Sequence, residues 1–366
     1  MARGSFGSLH FTTIGSLQYL DLDTAPKEQQ GSTTKMRCRR YRTKTLVAIT
    51  LLILGIRPNA LEAQAIPGAH KPLQKVTFSY PAISMTWLPL KVAVDKGFFA
   101  DEGLEPNLIF MRGNLGTVAL SNGDIDFVLN ITSALQGALQ GLGLKLVAAL
   151  NTRPLFSLVV RPEIKSTSDL KGKVFAVNAF GFSQAILTEA HLQHMGLKKG
   201  EYKLIAAGGT EGRLATMEKN LAQGTLVPPP VNVKMENQGY RLMGNTADII
   251  VYPIIGLVTH ENKIKSNPDR VEKAIRASLR GLNFVRNNRQ ETVKVIMSWV
   301  NINEKDAARA YDLSKEGFSR DGYVTDDDLS FEWNILKEAT KKTNVSITAA
   351  RDFTILRKVQ KDLGIQ

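Results

Sequence analysis

Beyond residue 74 the chain alternates short apolar runs with stretches in which apolar positions recur every third or fourth residue. Val76 to Tyr80, Leu104 to Phe110, Asp126 to Leu129 and Lys145 to Leu150 read as strands. After the first of them, Leu90, Ala93 and Val94 mark one face of a helix over Thr86 to Lys96. Pro89 is tolerated in its first turn and Gly97 ends it. A second series starts after Phe156-Ser157-Leu158-Val159-Val160: a strand over Val174 to Asn178, a helix over Ser183 to Met195, a strand over Tyr202 to Ala206, a helix from Thr210 to about Asn220, and a turn at Gln223-Gly224. Two βαβ series predict an α/β chain with covered parallel strands and loops open at the strand ends, where a small ligand would sit. From Ala247 the pattern is helical to the end, and Asn267-Pro268 opens a helix striped by Val271, Ala274, Ile275, Leu279 and Leu282.

Three phrases are more specific than periodicity: Ala93-x-x-Lys96-Gly97-x-Phe99-x-x-Glu102-Gly103-Leu104, then Asn122-Gly123-Asp124-Ile125-Asp126-Phe127, then Asp169-Leu170-Lys171-Gly172-Lys173-x-Phe175-Ala176-Val177. In this order they resemble the periplasmic substrate-binding proteins of the nitrate/sulfonate/taurine and thiamine-pyrimidine (NMT1-like) group, over residues 74 to 340. The resemblance implies a periplasmic-binding-protein-like (type II) α/β fold: two lobes around a ligand cleft, with a helical tail on the first lobe. The expected boundaries are lobe 1 over 66–157, lobe 2 over 158–250, and the return crossing and tail over 251–366. One departure stands out. Relatives place a Gly-x-x-Asp-Ala strand before the proline, whereas this chain runs from Gly224-Thr225-Leu226-Val227 directly into Pro228-Pro229-Pro230, so a shortened strand is expected.

Residues 1–65 do not fit the pattern. Met36 to Lys44 is basic, Leu46 to Ile56 is an apolar run too short for a membrane span, and Ala63-Gln64-Ala65 is a small-x-small cleavage site. This reads as a secretory signal peptide with translation starting at Met36, and hence a periplasmic protein. Cys38, the one cysteine of the chain, lies in that leader, so the mature part has no disulfide, thiolate nucleophile or cysteine metal ligand. The first 65 residues hold nine Lys/Arg against four Asp/Glu, so beyond them the net charge of +13 falls to +8. Those charges are scattered along helices without interleaved aromatics, which points away from nucleic acid.

The chain shows no catalytic set. Gly181-Phe182-Ser183-Gln184-Ala185 lacks the last glycine of a nucleophile elbow, Gly141-Leu142-Gly143-Leu144 fails the dinucleotide fingerprint, and His191 and His194 have no companions for a metal and read as a solvated helix face. Asp101-Glu102 and Asp326-Asp327-Asp328 read as turn and helix-start acids. No enzyme activity, cofactor or metal is expected.

Ligands of such folds lie at the carboxyl ends of strands. That rule selects Tyr80, Ser84 and Thr86 after the first strand, Asn130, Thr132 and Ser133 after the third, and Asn178, Phe180, Phe182 and Ser183 in the second series. These positions match the family's ligand loops. Ser84, Thr86, Thr132 and Ser183 are also good helix N-caps, and both roles can coexist. Tyr252 and Pro253, near the return crossing, are further candidates. The loops carry neither lysine nor acid, Arg112 and Arg153 lying just outside them, while Tyr80, Trp87, Phe180 and Phe182 offer flat walls. Together with the resemblance, this implies the extracytoplasmic solute-binding component of an ABC importer, a monomer that partners a membrane permease and takes a small, neutral or weakly charged heterocycle. Two alternatives stay open: a pyrimidine synthase of the same fold, against which the cysteine-free mature chain speaks, and a ligand-presenting partner of a membrane sensor.

Exported protein should begin at Ile66, read by N-terminal sequencing; an intact basic leader on the mature chain would overturn the cleavage site.

Overall fold

The computed structural model describes residues 72–365 apart from 82, 83, 112, 113, 181, 182 and 343, so the expected leader with Met36 and Cys38, and also Arg112 and Phe182, lie outside the described residues. Residues 67–366 form one compact unit. It contains two five-stranded sheets. The first has strands β1 (Gln74–Tyr80), β2 (Leu104–Phe110), β3 (Phe127–Leu129) and β4 (Leu144–Ala149); the second has β5 (Ser157–Val160), β6 (Val174–Val177), β7 (Lys203–Ala206), β8 (Gly224–Val227) and β9 (Arg241–Asn245). A tenth strand, β10 (Gly256–His260), returns to the first sheet, giving the orders β2-β1-β3-β10-β4 and β7-β6-β8-β5-β9.

The two orders share a plan. In each sheet three parallel strands are followed by one antiparallel strand delivered by a crossing segment: β10 runs antiparallel to β3 and β4, and β5 to β8 and β9. β10 corrects the sequence reading, which made the chain helical from Ala247. Its four consecutive buried residues, Gly256 to Thr259, show no period, so neither helix nor strand can be read from them. Gly256 allows the fit, because a Cβ there would lie 2.5 Å from the Ala148 carbonyl oxygen. The shortened strand β8 has four residues, all buried, and still pairs with both β5 and β6.

Residues 150–156 and 246–255 form the two crossings, and they are bonded to each other. Asn151, fully buried, accepts from the Ile254 and Ile255 N–H groups at 3.2 and 2.7 Å, while Thr246 Oγ1 donates to the Pro154 carbonyl at 2.8 Å. Arg153 Nη1 donates to the Ala247 carbonyl at 2.7 Å. These partners satisfy backbone groups that a buried connection would otherwise leave unpaired.

The tail starts as expected. Asn267 caps the helix Pro268–Asn287, and its predicted stripe is buried against the helix Leu88–Asp95, where Gly281 permits close approach. The tail also reaches the second half, since Arg309 forms two N–H···O bonds of 3.0 Å with Glu236.

Asp126, the second acid of the Asn-Gly-Asp-Ile-Asp phrase, fastens this tail. Its carboxylate accepts from the Thr77 N–H at 2.9 Å, Lys263 Nζ at 2.9 Å and Arg270 Nη1 at 3.1 Å. Burial by itself raises its pKa, but the Lys263 bond, the Thr77 N–H and the Arg270 charge outweigh it and hold the group below the usual carboxylate value. Asp126→Ala leaves two cations and an amide without their acceptor. It should lower stability by about 3 kcal/mol in urea unfolding, with Asp126→Asn losing less; a change under about 0.5 kcal/mol would remove Asp126 from this role.

Candidate functional site

The register sets the ends of the strands level. Ser79 of β1 lies opposite Val128 of β3, so Tyr80 stands beside Leu129 and the loop starting at Asn130. The Tyr80 ring packs on Trp87 with centroids 4.7 Å apart and on Phe110 at 5.8 Å. Trp87 is not a cleft wall, as the sequence suggested: it is 2% exposed and packs edge-on against Trp299 at 4.6 Å. It supports Tyr80 from behind. Ser84 caps the short helix Met85–Trp87 by accepting from the Thr86 N–H at 3.3 Å, and buried Thr86 donates its hydroxyl to Ser84 Oγ at 3.1 Å.

Asn130 caps the helix Ile131–Gln140, its Oδ1 accepting from the Thr132 N–H at 3.2 Å. Ser133 is buried and pairs with Thr117 Oγ1 at 2.7 Å. Thr132 Oγ1 donates to Glu332 Oε1 at 2.6 Å across 200 positions of sequence. Glu332 sits on the tail helix Asp326–Thr340, and its neighbour Phe331 packs edge-on against Tyr252 at 5.4 Å. The loops themselves carry no acid, but the tail, read only as packing, brings a carboxyl to them. Burial pushes the Glu332 carboxyl up to about 7, against the lowering pull of the Thr132 and Tyr252 hydroxyls. No signal in the sequence around Asp326-Asp327-Asp328 distinguishes Glu332 from a surface glutamate.

In the second half Val177 lies opposite Ala206, and the strand-end residue Asn178 accepts from the Gly208 N–H at 3.0 Å. The Asn178 N–H donates to Gln184 Oε1 at 2.8 Å, and its buried side-chain oxygen meets no hydrogen-bond donor among the described residues. Ser183 opens the helix Ser183–His194. Phe180 is 62% exposed, a large apolar ring left in solvent. Arg213 was not foreseen. It is buried beneath this edge and donates to neutral oxygens only: Gly208 O at 3.0 Å, Thr225 Oγ1 at 3.1 Å, and Thr210 Oγ1 and Leu226 O at 3.3 Å.

His191 departs from the solvated helix face expected for it. It is buried, with Nε2 2.9 Å from the Met243 carbonyl oxygen, because the helix Ser183–His194 turns that face toward β9. No group of three or more metal-binding side chains occurs among the described residues. A cavity of about 650 Å³ beside the crossings is lined by Arg153, Asp248, Arg286, Glu316, Arg320 and Asp321 among others, and by none of the ten predicted site residues. No helix among the described residues is long and apolar enough to cross a membrane.

The family described as NMT1/THI5 like matches residues 85–292, more than half of the 366-residue chain. The riboflavin-binding protein RibY of Chloroflexus aurantiacus is 29% identical over 230 residues, 60% of this chain; the chain spans 65% of that relative's length. The periplasmic sulfonate-binding protein SsuA of Methylobacillus flagellatus superimposes with a TM-score of 0.64 at 16% identity, over 81% of this chain and 97% of that one. The desulfurization enzyme DSZB does so at 0.59 and 13%, over 79% and 99%. The last two likenesses establish the fold alone, a fold that carries both binders and a catalyst.

An acid whose pKa is raised by folding holds its proton more tightly in the folded state. The stability from Glu332 is therefore complete below the ordinary value of 4.5 and is lost as pH rises toward about 7, by at most about 3 kcal/mol. Glu332→Gln removes this dependence. The melting temperature of the wild type should fall relative to that variant between about pH 5 and about pH 8; parallel curves would show that Glu332 titrates normally.

Proposed function

The chain belongs to the NMT1/THI5-like family, and on that premise we propose that it is the extracytoplasmic, solute-binding component of an ABC importer, closing two lobes over a small flat heterocycle. The observation that carries this reading is the pairing of two sheets of like order through two adjacent crossings. Such a joint lets two rigid bodies rotate while the loops at their strand ends face a common ligand. The binder reading also rests on the sequence, whose one cysteine, Cys38, belongs to the expected leader. Delivery to a membrane permease and action as a monomer follow from the same reading.

Asn130 and Thr132 from the first lobe, and Asn178, Phe180, Phe182 and Ser183 from the second, are the side chains we assign to the solute, with Tyr80 as an aromatic face. Phe110 at 47% and Phe180 at 62% exposure are apolar surfaces that a flat ring would cover. A simple inorganic anion gains little from them and needs aimed donors or cations instead. The relative's name, riboflavin-binding protein, supports the heterocyclic class and makes riboflavin the first probe.

Titration of riboflavin fluorescence should show saturable binding, with scattering profiles becoming more compact. At a hundredfold excess over Kd the ligand should stabilise the protein by about 2.7 kcal/mol. Phe180→Ala should weaken binding severalfold and leave the ligand-free melting temperature unchanged, because the ring is 62% exposed. Tight, salt-sensitive binding of taurine, nitrate or sulfate with riboflavin silent would overturn the ligand class, and superimposable scattering profiles at saturation would overturn closure.

A further inference from the structure

We propose that Thr132 and Glu332 form a proton-controlled donor/acceptor switch in the wall of the solute site. The proposal rests on the reading above that the loop after β3 touches the solute. A carboxylate accepts hydrogen bonds and donates none, whereas a threonine hydroxyl has one proton and two lone pairs. With Glu332 ionised, the Thr132 proton is held on Oε1 at 2.6 Å, and the hydroxyl offers a solute only lone pairs. It then selects an N–H edge. Once Oε1 takes a proton from solvent, the carboxyl donates to Thr132 Oγ1, and the threonine proton turns free to meet a carbonyl or ring nitrogen. One proton enters, no covalent bond among heavy atoms changes, and the same 2.6 Å contact serves both forms.

The surroundings leave this choice open. Glu332 is 8% exposed, and besides Thr132 its carboxyl meets only another hydroxyl, that of Tyr252, which can donate to the ionised form or accept from the protonated one. The helix Ile131–Gln140 and the turn Ile347–Ala350, both packed on the Glu332 helix, contain no titratable side chain. The return crossing contributes the Tyr252 hydroxyl. On the helix itself Asp328 lies one turn earlier, its carboxylate bound to the Thr325 N–H at 2.8 Å, and Asp326 is paired with Arg351. Lys337 and Glu338 lie more than a turn further on. Burial accordingly dominates, and near neutral pH both forms of Glu332 are populated.

The test uses the full chain and has a ligand-free arm and a riboflavin arm. Without ligand, Thr132→Val should lower the melting temperature more at roughly pH 8.5, where the lost bond is charge-assisted, than at roughly pH 5.5. In a Glu332→Gln background the two losses should be equal. Equal losses in the wild-type background overturn the switch. With riboflavin, Kd should differ about fivefold between the two pH values, the size of one hydrogen bond. Both Thr132→Val and Glu332→Gln should abolish that difference. A pH dependence that survives Thr132→Val acts through charge alone and also overturns the switch. Should riboflavin not bind, the heterocycle reading fails, and the ligand-free arm still decides the switch.

Discussion

The two sheets are held to each other by one bonded pair of connections, residues 150–156 and 246–255. Asn151 is fully buried between the crossings and its amide is engaged at both ends, its oxygen by two N–H groups of the return segment and its nitrogen by the Arg153 carbonyl at 3.0 Å. The Ala247 carbonyl accepts from Arg153, and Thr246 bonds back to Pro154 and Phe156. The two connections are therefore tied to each other as one joint. In the proposed closure, a rotation about that joint leaves the hydrogen bonds inside either sheet in place.

Much of this was legible in the chain itself. Strand positions, the Gly97 stop and the Val271 to Leu282 stripe could be read because a face buried along a regular element repeats in the sequence whatever packs on it. Where one residue's surroundings come from a distant element and leave no repeat, the reading stopped. Gly256–His260 is a strand only because β3 and β4 leave a gap for it, and Trp87 is interior only because Trp299, some two hundred residues later, covers it. Glu332 is the same case in polar form. Its local sequence is that of a solvated helix, and its environment is created by Thr132 and Tyr252.

The proposed solute site joins two kinds of surface. Tyr80, Phe110 and Phe180 are aromatic and partly or largely open, whereas Asn130, Thr132 and Asn178 are polar groups engaged with their own backbone or with a neighbour. Aromatic area contributes affinity without much selectivity, and preset polar groups discriminate by what they leave unpaired. The buried Arg213 ties the segment after β7 to β8 through bonds to their carbonyls. A fold shared by sulfonate binders and a desulfurization enzyme thus acquires its chemistry from a few loop residues on a stiff frame.

The insertion of β10 between β3 and β4 also fixes an order of assembly. The second sheet is complete within one stretch of sequence, from Ser157 to Asn245. The first sheet cannot fill its centre until Gly256–His260 has emerged, nor cover its face until Pro268–Asn287 follows. Loop closure across that distance is slow, since the ends must meet before any contact rewards them. In a chain threaded from its N-terminus, β4 joins the first sheet only after β10 has appeared, and a truncation before residue 256 leaves β3 and β4 with open edges prone to pairing with another copy.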